Sequence, residues 1–305
     1  MATSQQFLVC DSSTLTNFKA WAQAISSFFS TAGWLQSSDT GQVNWSTISA
    51  VPGSGAFVYE IWQPNDGLTN FYVKVEYGNF SGTNCPSLRF TLSTTTNGAG
   101  TPTGIVSTVQ NTNSNAFTAP STTTQYECDF SGAAGRIGAI MWRNGINGCQ
   151  QLFAIERSIN ASGTYTSSYV TIVVGGVANT SASNSQTFNQ QSLVFGVGAG
   201  PTATTRAYNG YQGPTLCVRS AIFDGMSTTA FNGSIPFDTV SPVVGYFDYP
   251  MTMVGAAYGP DFVEGITFSV TLYGSTRTYM PTKSGPMAWQ PTTNVSNGII
   301  CLRYD

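Results

Sequence analysis

Between residues 15 and 32 the apolar side chains Leu15, Phe18, Trp21, Ala22, Ile25, Phe28, Phe29 and Ala32 recur at steps of three and four. That spacing gathers them into one stripe on a 3.6-residue period and predicts an amphipathic helix over 15–32. Ser12 or Ser13 is placed to cap its start, and Gly33 stands where a left-handed residue closes a helix. Further on the period changes to two. Residues 56–62 (AFVYEIW) and 70–77 (NFYVKVEY) flank QPNDGLT, whose Pro and Asn-Asp-Gly carry turn chemistry, so a hairpin is expected. Matching Phe57, Tyr59 and Ile61 to the face of Phe71, Val73, Val75 and Tyr77 pairs Ile61 with Phe71 and Tyr59 with Val73. This register sends Glu60 to the solvent face, diagonal to Lys74.

Further strands are predicted over 87–91, 124–130, 137–142, 152–157, 168–174, 193–197, 215–223, 266–273, 276–280 and 299–303. So many short strands at close spacing indicate a mainly β, antiparallel β-sandwich or jelly-roll-like fold with one amphipathic N-terminal helix. Two stretches read as long polar loops, 93–124 and 177–191, and loops of that length commonly carry function or reach a neighbouring subunit. The composition shifts near 198–214 and proline becomes frequent beyond it, which sets a soft boundary between an N-terminal unit, 1–200, and a smaller β-rich region, 201–305.

Composition narrows the function classes. The 305 residues are 41% hydrophobic and 13% aromatic but only 8% charged, against about 25% charged in an average domain. Hydroxyl and amide side chains must therefore do most of the solvating. A net charge of −3 with isolated Lys and Arg offers no basic field for a nucleic acid. No apolar run approaches the ~20 residues that span a bilayer as a helix, and MATSQQFLVC lacks a basic stretch leading into an apolar one, so neither membrane insertion nor an export signal is expected. The six cysteines are widely spaced without a CxxC pair, and buried free thiols are the expected state.

The chain contains no histidine, which removes Ser-His-Asp and Cys-His nucleophile systems and every His-containing metal site. Phosphate-binding glycine loops and a GxSxG elbow are also missing from the sequence, and no cofactor is implied. Carboxylate catalysis on a glycoside would need two acids about 5–9.5 Å apart. Glu60, Glu76, Glu127, Asp129 and Glu156 are the acids in or beside strands, although Glu60 and Glu76 read equally well as partners of Lys74 and Glu156 as a partner of Arg157 or Arg143. Asn65-Asp66-Gly67 could donate oxygens to calcium or simply form a turn. The tyrosine clusters Tyr208 with Tyr211 and Tyr246 with Tyr249 are candidate contacts for a partner surface or a host surface glycan, because flat rings stack on sugars and are enriched at interfaces. Loop packing is an equal alternative for both.

Three of the six tryptophans, Trp21, Trp34 and Trp45, fall in the first 45 residues, and they are read as structural anchors. They also belong to a recognisable order of motifs: a helix NFKAWAQAISSFF, then GW, DTGQVNW, YEIWQPNDGL, FYVKVEYG and NGAGTPTG. This order, over residues 17–104, resembles the N-terminal region of virion structural proteins of tailed bacteriophages. The resemblance implies a particle component found in the virion, commonly on the tail, whose partners are copies of itself and other virion proteins, and it transfers no catalytic residue. A capsid decoration or cement protein is the first alternative, and a carbohydrate-binding module or carboxylate glycosidase the second.

Overall fold

In a computed structural model of the chain, the described residues are 1–79, 84, 86–112, 123, 125–142, 151–160, 162–179, 186–197, 206–208, 237–239, 243–244, 247–248, 251–258, 265–272, 274–281, 287–289 and 296–305. The N-terminal part contains β1 (Ala2–Leu8), α1 (Leu15–Thr31), β2 (Leu35–Gln36), β3 (Phe57–Gln63), β4 (Tyr72–Asn79), β5 (Pro86–Thr96), β6 (Pro102–Val106) and β7 (Gln110–Asn111). Next come β8 (Tyr126–Ala133), β9 (Arg136–Trp142), β10 (Gln151–Ile159), β11 (Tyr165–Asn179), β12 (Gln186–Gly196) and β13 (Arg206–Tyr208). The rest are β14 (Phe237–Thr239), β15 (Val243–Val244), β16 (Phe247–Asp248), β17 (Val254–Tyr258), β18 (Phe268–Leu272), β19 (Ser275–Pro281), β20 (Met287–Trp289) and β21 (Ser296–Arg303).

The fold is mainly β, antiparallel and sandwich-like, with one helix. A large sheet runs β1-β8-β9-β10-β11-β12-β13, and a second runs β2-β3-β4-β5-β6 with β7 added to β5. Their facing sides and α1 enclose one core, in which Phe18, Trp21, Ile25 and Phe29 of the helix meet Val73, Val75 and Phe90 of the second sheet and Phe130, Phe153 and Ile172 of the large one. The outer face of the large sheet carries a smaller core, where Ile140, Leu152, Ala154 and Val173 meet Met251, Met253, Val254 and Leu302. That second core packs against a sheet of the C-terminal strands, ordered β14-β17-β21-β19-β18 with β20 on β21. Because the large sheet is covered on both faces, β10 is buried at every position and shows no alternation.

The helix matches its expected span to one residue, but Thr14 caps it, accepting from the Asn17 N–H. Ser13 is already engaged by the Asp11 carboxylate and the Ser12 N–H by the Asn84 carbonyl, so the cap moves one residue on. At the other end Gly33, with φ +87°, donates to Ser30 O and Trp34 donates to Phe29 O, the paired bonds of a Schellman closure.

Two expectations are corrected, and one strand is added. The hairpin forms, but β3 pairs Trp62 with Val73, Glu60 with Val75 and Val58 with Tyr77. This register differs from the expected one by an odd number of residues, which exchanges the faces of β3. Val58, Glu60 and Trp62 therefore point inward, and Glu60 is buried, not solvated. The polar stretch 93–124 contains the end of β5 together with β6 and β7, and 177–191 holds the ends of β11 and β12. Thr and Ser suit a pleated surface when a neighbouring strand takes their backbone bonds. Finally, β1 had no sequence signal, since its inward residues Ala2, Ser4, Gln6 and Leu8 are as polar as its outward ones. The expected strand 215–223 and most of the 198–214 boundary region lie outside the described residues.

Candidate functional site

The motifs of the N-terminal third meet at two carboxylates. Glu60 accepts from Ser26 Oγ of the helix at 2.7 Å and Trp45 Nε1 at 2.7 Å on one oxygen, and from Tyr77 OH at 2.8 Å and Trp62 Nε1 at 3.3 Å on the other. Four donors match the roughly four acceptor positions of a carboxylate, so its bonding is satisfied by the protein itself. Tyr77 stacks edge-on against Trp21 and Trp45, with ring centroids 6.1 and 5.2 Å away. Burial, followed by the charge of Glu60, pushes the Tyr77 phenol well above its ordinary range and keeps it a donor.

The second carboxylate, Asp39, joins DTGQVNW to NGAGTPTG. It accepts from Ser37 Oγ at 2.7 Å, Thr96 Oγ1 at 2.9 Å and the Gly100 N–H at 3.1 Å. The Thr40 N–H donates to Gly98 O at 2.9 Å, and Tyr59 OH donates to Thr40 O at 3.0 Å. Gln42 completes the lock by donating to Ser37 O and Asp39 O while accepting from the Ile61 N–H. Gly100 has φ +82°, and a Cβ there would overlap the Tyr59 hydroxyl, so this position needs glycine for both backbone and space. Burial alone would raise the Asp39 pKa, but hydrogen bonds from Ser37, Gly100 and Thr96 outweigh it and hold the group below its ordinary value.

Glu156, Asp66, Glu76 and Glu127 are also engaged. Glu156 lies on the outer face of the large sheet and accepts from the Thr252 and Met253 N–H groups, Thr252 Oγ1 at 2.6 Å and Tyr165 OH at 3.0 Å, with Arg303 at 3.8 Å. Its expected partner Arg157 points to the opposite face, as adjacent strand residues must. There Arg157 grips Asp66 and Thr69 O in the β3–β4 loop and lies over Phe71, 4.9 Å from the ring centroid. Asp66 thus has a guanidinium for its cation, and among the described residues no group of acids could hold a metal ion. Arg143 lies outside the described residues. Glu76 pairs with Lys74 at 3.9 Å on the outer face of the second sheet, and Glu127 accepts from Gln5 at 2.7 Å. Glu60 and Glu156 lie on opposite sides of the large sheet, which is not the arrangement of two acids flanking one sugar.

Each N-terminal tryptophan joins two elements. Trp21 is fully buried between Phe18 and Tyr77; Trp34 packs on Phe29 and Phe71 and donates to Ala133 O of β8 at 3.0 Å; Trp45 links its loop to Glu60. Of the tyrosine clusters, only the backbone of Tyr208 is described, in β13 opposite Gln190 of β12; Tyr211, Tyr246 and Tyr249 lie outside the described residues. Cys10, Cys128 and Cys301 are buried free thiols, and burial raises the Cys128 thiol well above its ordinary range. The sequence reasoning missed the inward Glu60 and the Arg157–Asp66 clamp. For Glu60 the available signal was the set of indole and phenol donors at Trp45, Trp62 and Tyr77, a surplus that calls for a buried acceptor.

The fold and its clusters define an antiparallel β-sandwich in which the motif residues bond to one another. Among known proteins, no family model and no curated relative matches the chain.

Proposed function

We propose that the chain is a non-enzymatic structural protein of a tailed-bacteriophage particle, placed on the tail or baseplate and assembled as a symmetric homo-oligomer beside other virion proteins. One observation carries the reading: the residues that resemble phage particle proteins converge on the Asp39 and Glu60 clusters. Their carboxylates are engaged by neighbouring loops, strands and the helix, so the shared motifs encode a scaffold. Low charge adds support, because few charged groups need desolvating where copies pack side by side.

The test is mass spectrometry and cryo-microscopy of the source particles. The reading expects the chain among the particle proteins at a copy number that fits a ring or spike on the tail axis. Copies on the three-fold or six-fold positions of the head would replace the tail placement with capsid decoration. A chain missing from particles, or glycan cleavage abolished by Glu60→Gln or Glu156→Gln in a folded protein, would overturn the structural role. Binding of a host surface glycan is read separately by titrating the purified oligomer with host polysaccharide.

A further inference from the structure

Every open sheet must manage its edges, because an edge strand presents free N–H and C=O groups to any passing chain. Most edges here carry a guard. β2 is two residues long and β13 and β14 are three. β6 begins at Pro102, contains Gly104, and joins β5 through a register shift. β18 is five residues long, against the seven of β1. β1 is different: ATSQQFL pairs along its whole length with β8, has no charge, Pro, Gly or bulge, and among the described residues no strand pairs with its other side. Phe7 projects from it 57% exposed.

We infer that β1 is the contact between two copies of this chain, pairing antiparallel with the β1 of its partner about a two-fold axis at Gln5. The occupant must be an extended segment, and β1 is one itself, with no charge to desolvate at the seam. In the two-fold register Phe7 faces the partner's Thr3 and Leu8 faces the partner's Ala2, so each large side chain meets a small one on both faces. Gln5 faces its own copy, and its amide, which already donates one N–H to Glu127 at 2.7 Å, keeps a second N–H and its oxygen for the partner's amide. The two large sheets then continue as one, and both edges are removed in a closed, isologous contact. Seven residues bury less than the roughly 1,600 Å² of a standard stable interface. The pair therefore forms in proportion to concentration and is favoured where copies are crowded.

The inference rests on the homo-oligomer part of the proposed function and not on the virion assignment. Its test is sedimentation of the full chain over a concentration series. The wild type is expected to form dimers, or larger assemblies containing that dimer. Thr3→Lys with Phe7→Lys places like charges opposite each other at both ends of the contact and is expected to weaken association at least tenfold. Thr3→Glu with Phe7→Lys places opposite charges there and is expected to restore it. Near-UV circular dichroism of both variants shows whether the fold is retained. An oligomer indifferent to both substitutions overturns the β1 contact while the homo-oligomer reading stands. A wild type that stays monomeric throughout overturns both, and mass spectrometry of the particles still decides the virion reading independently.

Discussion

Glu60 was legible as a residue but not as a role. Both alternations of β3, Phe57-Tyr59-Ile61 and Val58-Glu60-Trp62, contain large apolar side chains, so hydrophobicity alone could not choose the inner face. The choice follows from donors: Ser26, Trp45, Trp62 and Tyr77 all need an acceptor in the core, and Glu60 supplies it. Glu60→Gln keeps the shape but turns two N–H donors toward groups that themselves donate, at a cost of about 1–3 kcal/mol. Glu60→Ala orphans all four donors and is expected to cost more than Glu60→Gln. Urea titrations of the two variants check the order, and a smaller loss for alanine would show that the cluster carries little of the stability. Trp21→Ala removes a fully buried indole and is expected to cost about 3–5 kcal/mol in the same assay. A loss near zero would mean that the helix stripe is not a core surface.

At the scale of elements, the helix was legible because seventeen residues repeat one period, and many strands because apolar runs mark their centres. What escaped was structure made by polar residues: β1, the ends of β11 and β12, and the β5–β7 region, where neighbours supply the pairing and the sequence shows only Ser, Thr, Gln and Asn. Glycines that look alike in sequence also separate here. Gly33 has open space around its missing side chain, so Gly33→Ala meets only the left-handed backbone strain of about 1–2 kcal/mol. Gly100→Ala adds a clash with Tyr59 and is expected to cost clearly more than Gly33→Ala by thermal or urea unfolding; equal losses would show that the loop yields. The Asp39 lock also has a pH signature. The folded pKa lies below the unfolded value of about 3.9, so its contribution is fully present above that value and is lost as pH falls through the folded pKa. The stability gap between wild type and Asp39→Asn is therefore expected to be largest near pH 6 and to shrink below about pH 4. A gap that holds constant through the acid range would rule out ionised Asp39 as the source.

Across the whole molecule the layers are joined by buried polar bonds as well as by packing. Glu60 receives the helix through Ser26, Arg157 of the large sheet grips Asp66 beside the second sheet, Gln151 donates to Pro86 O between the same sheets, and Glu156 fastens the C-terminal part through Thr252 and Met253. A chain with only 11 basic and 14 acidic residues thus places several of them where layers cross. Adjacent residues of β10 serve opposite sides, since Arg157 reaches inward and Glu156 outward. That division gives a separable outcome. Glu156→Ala leaves Tyr165 OH, Thr252 Oγ1 and two backbone N–H groups without their acceptor while Arg303 keeps Asp305, and each buried donor so orphaned costs about 1–3 kcal/mol. The small outer core is the surface it fastens, so hydrogen exchange should rise first at Thr252, Met253 and the 254–258 strand, while amides of α1 and β3–β5 keep their protection. Arg157→Met should show the reverse order, opening the β3–β4 loop around Asp66 before the C-terminal strands. If either substitution loosened both regions equally, the two faces of the large sheet would have to be one cooperative unit, and the polar bonds would be accessories to packing.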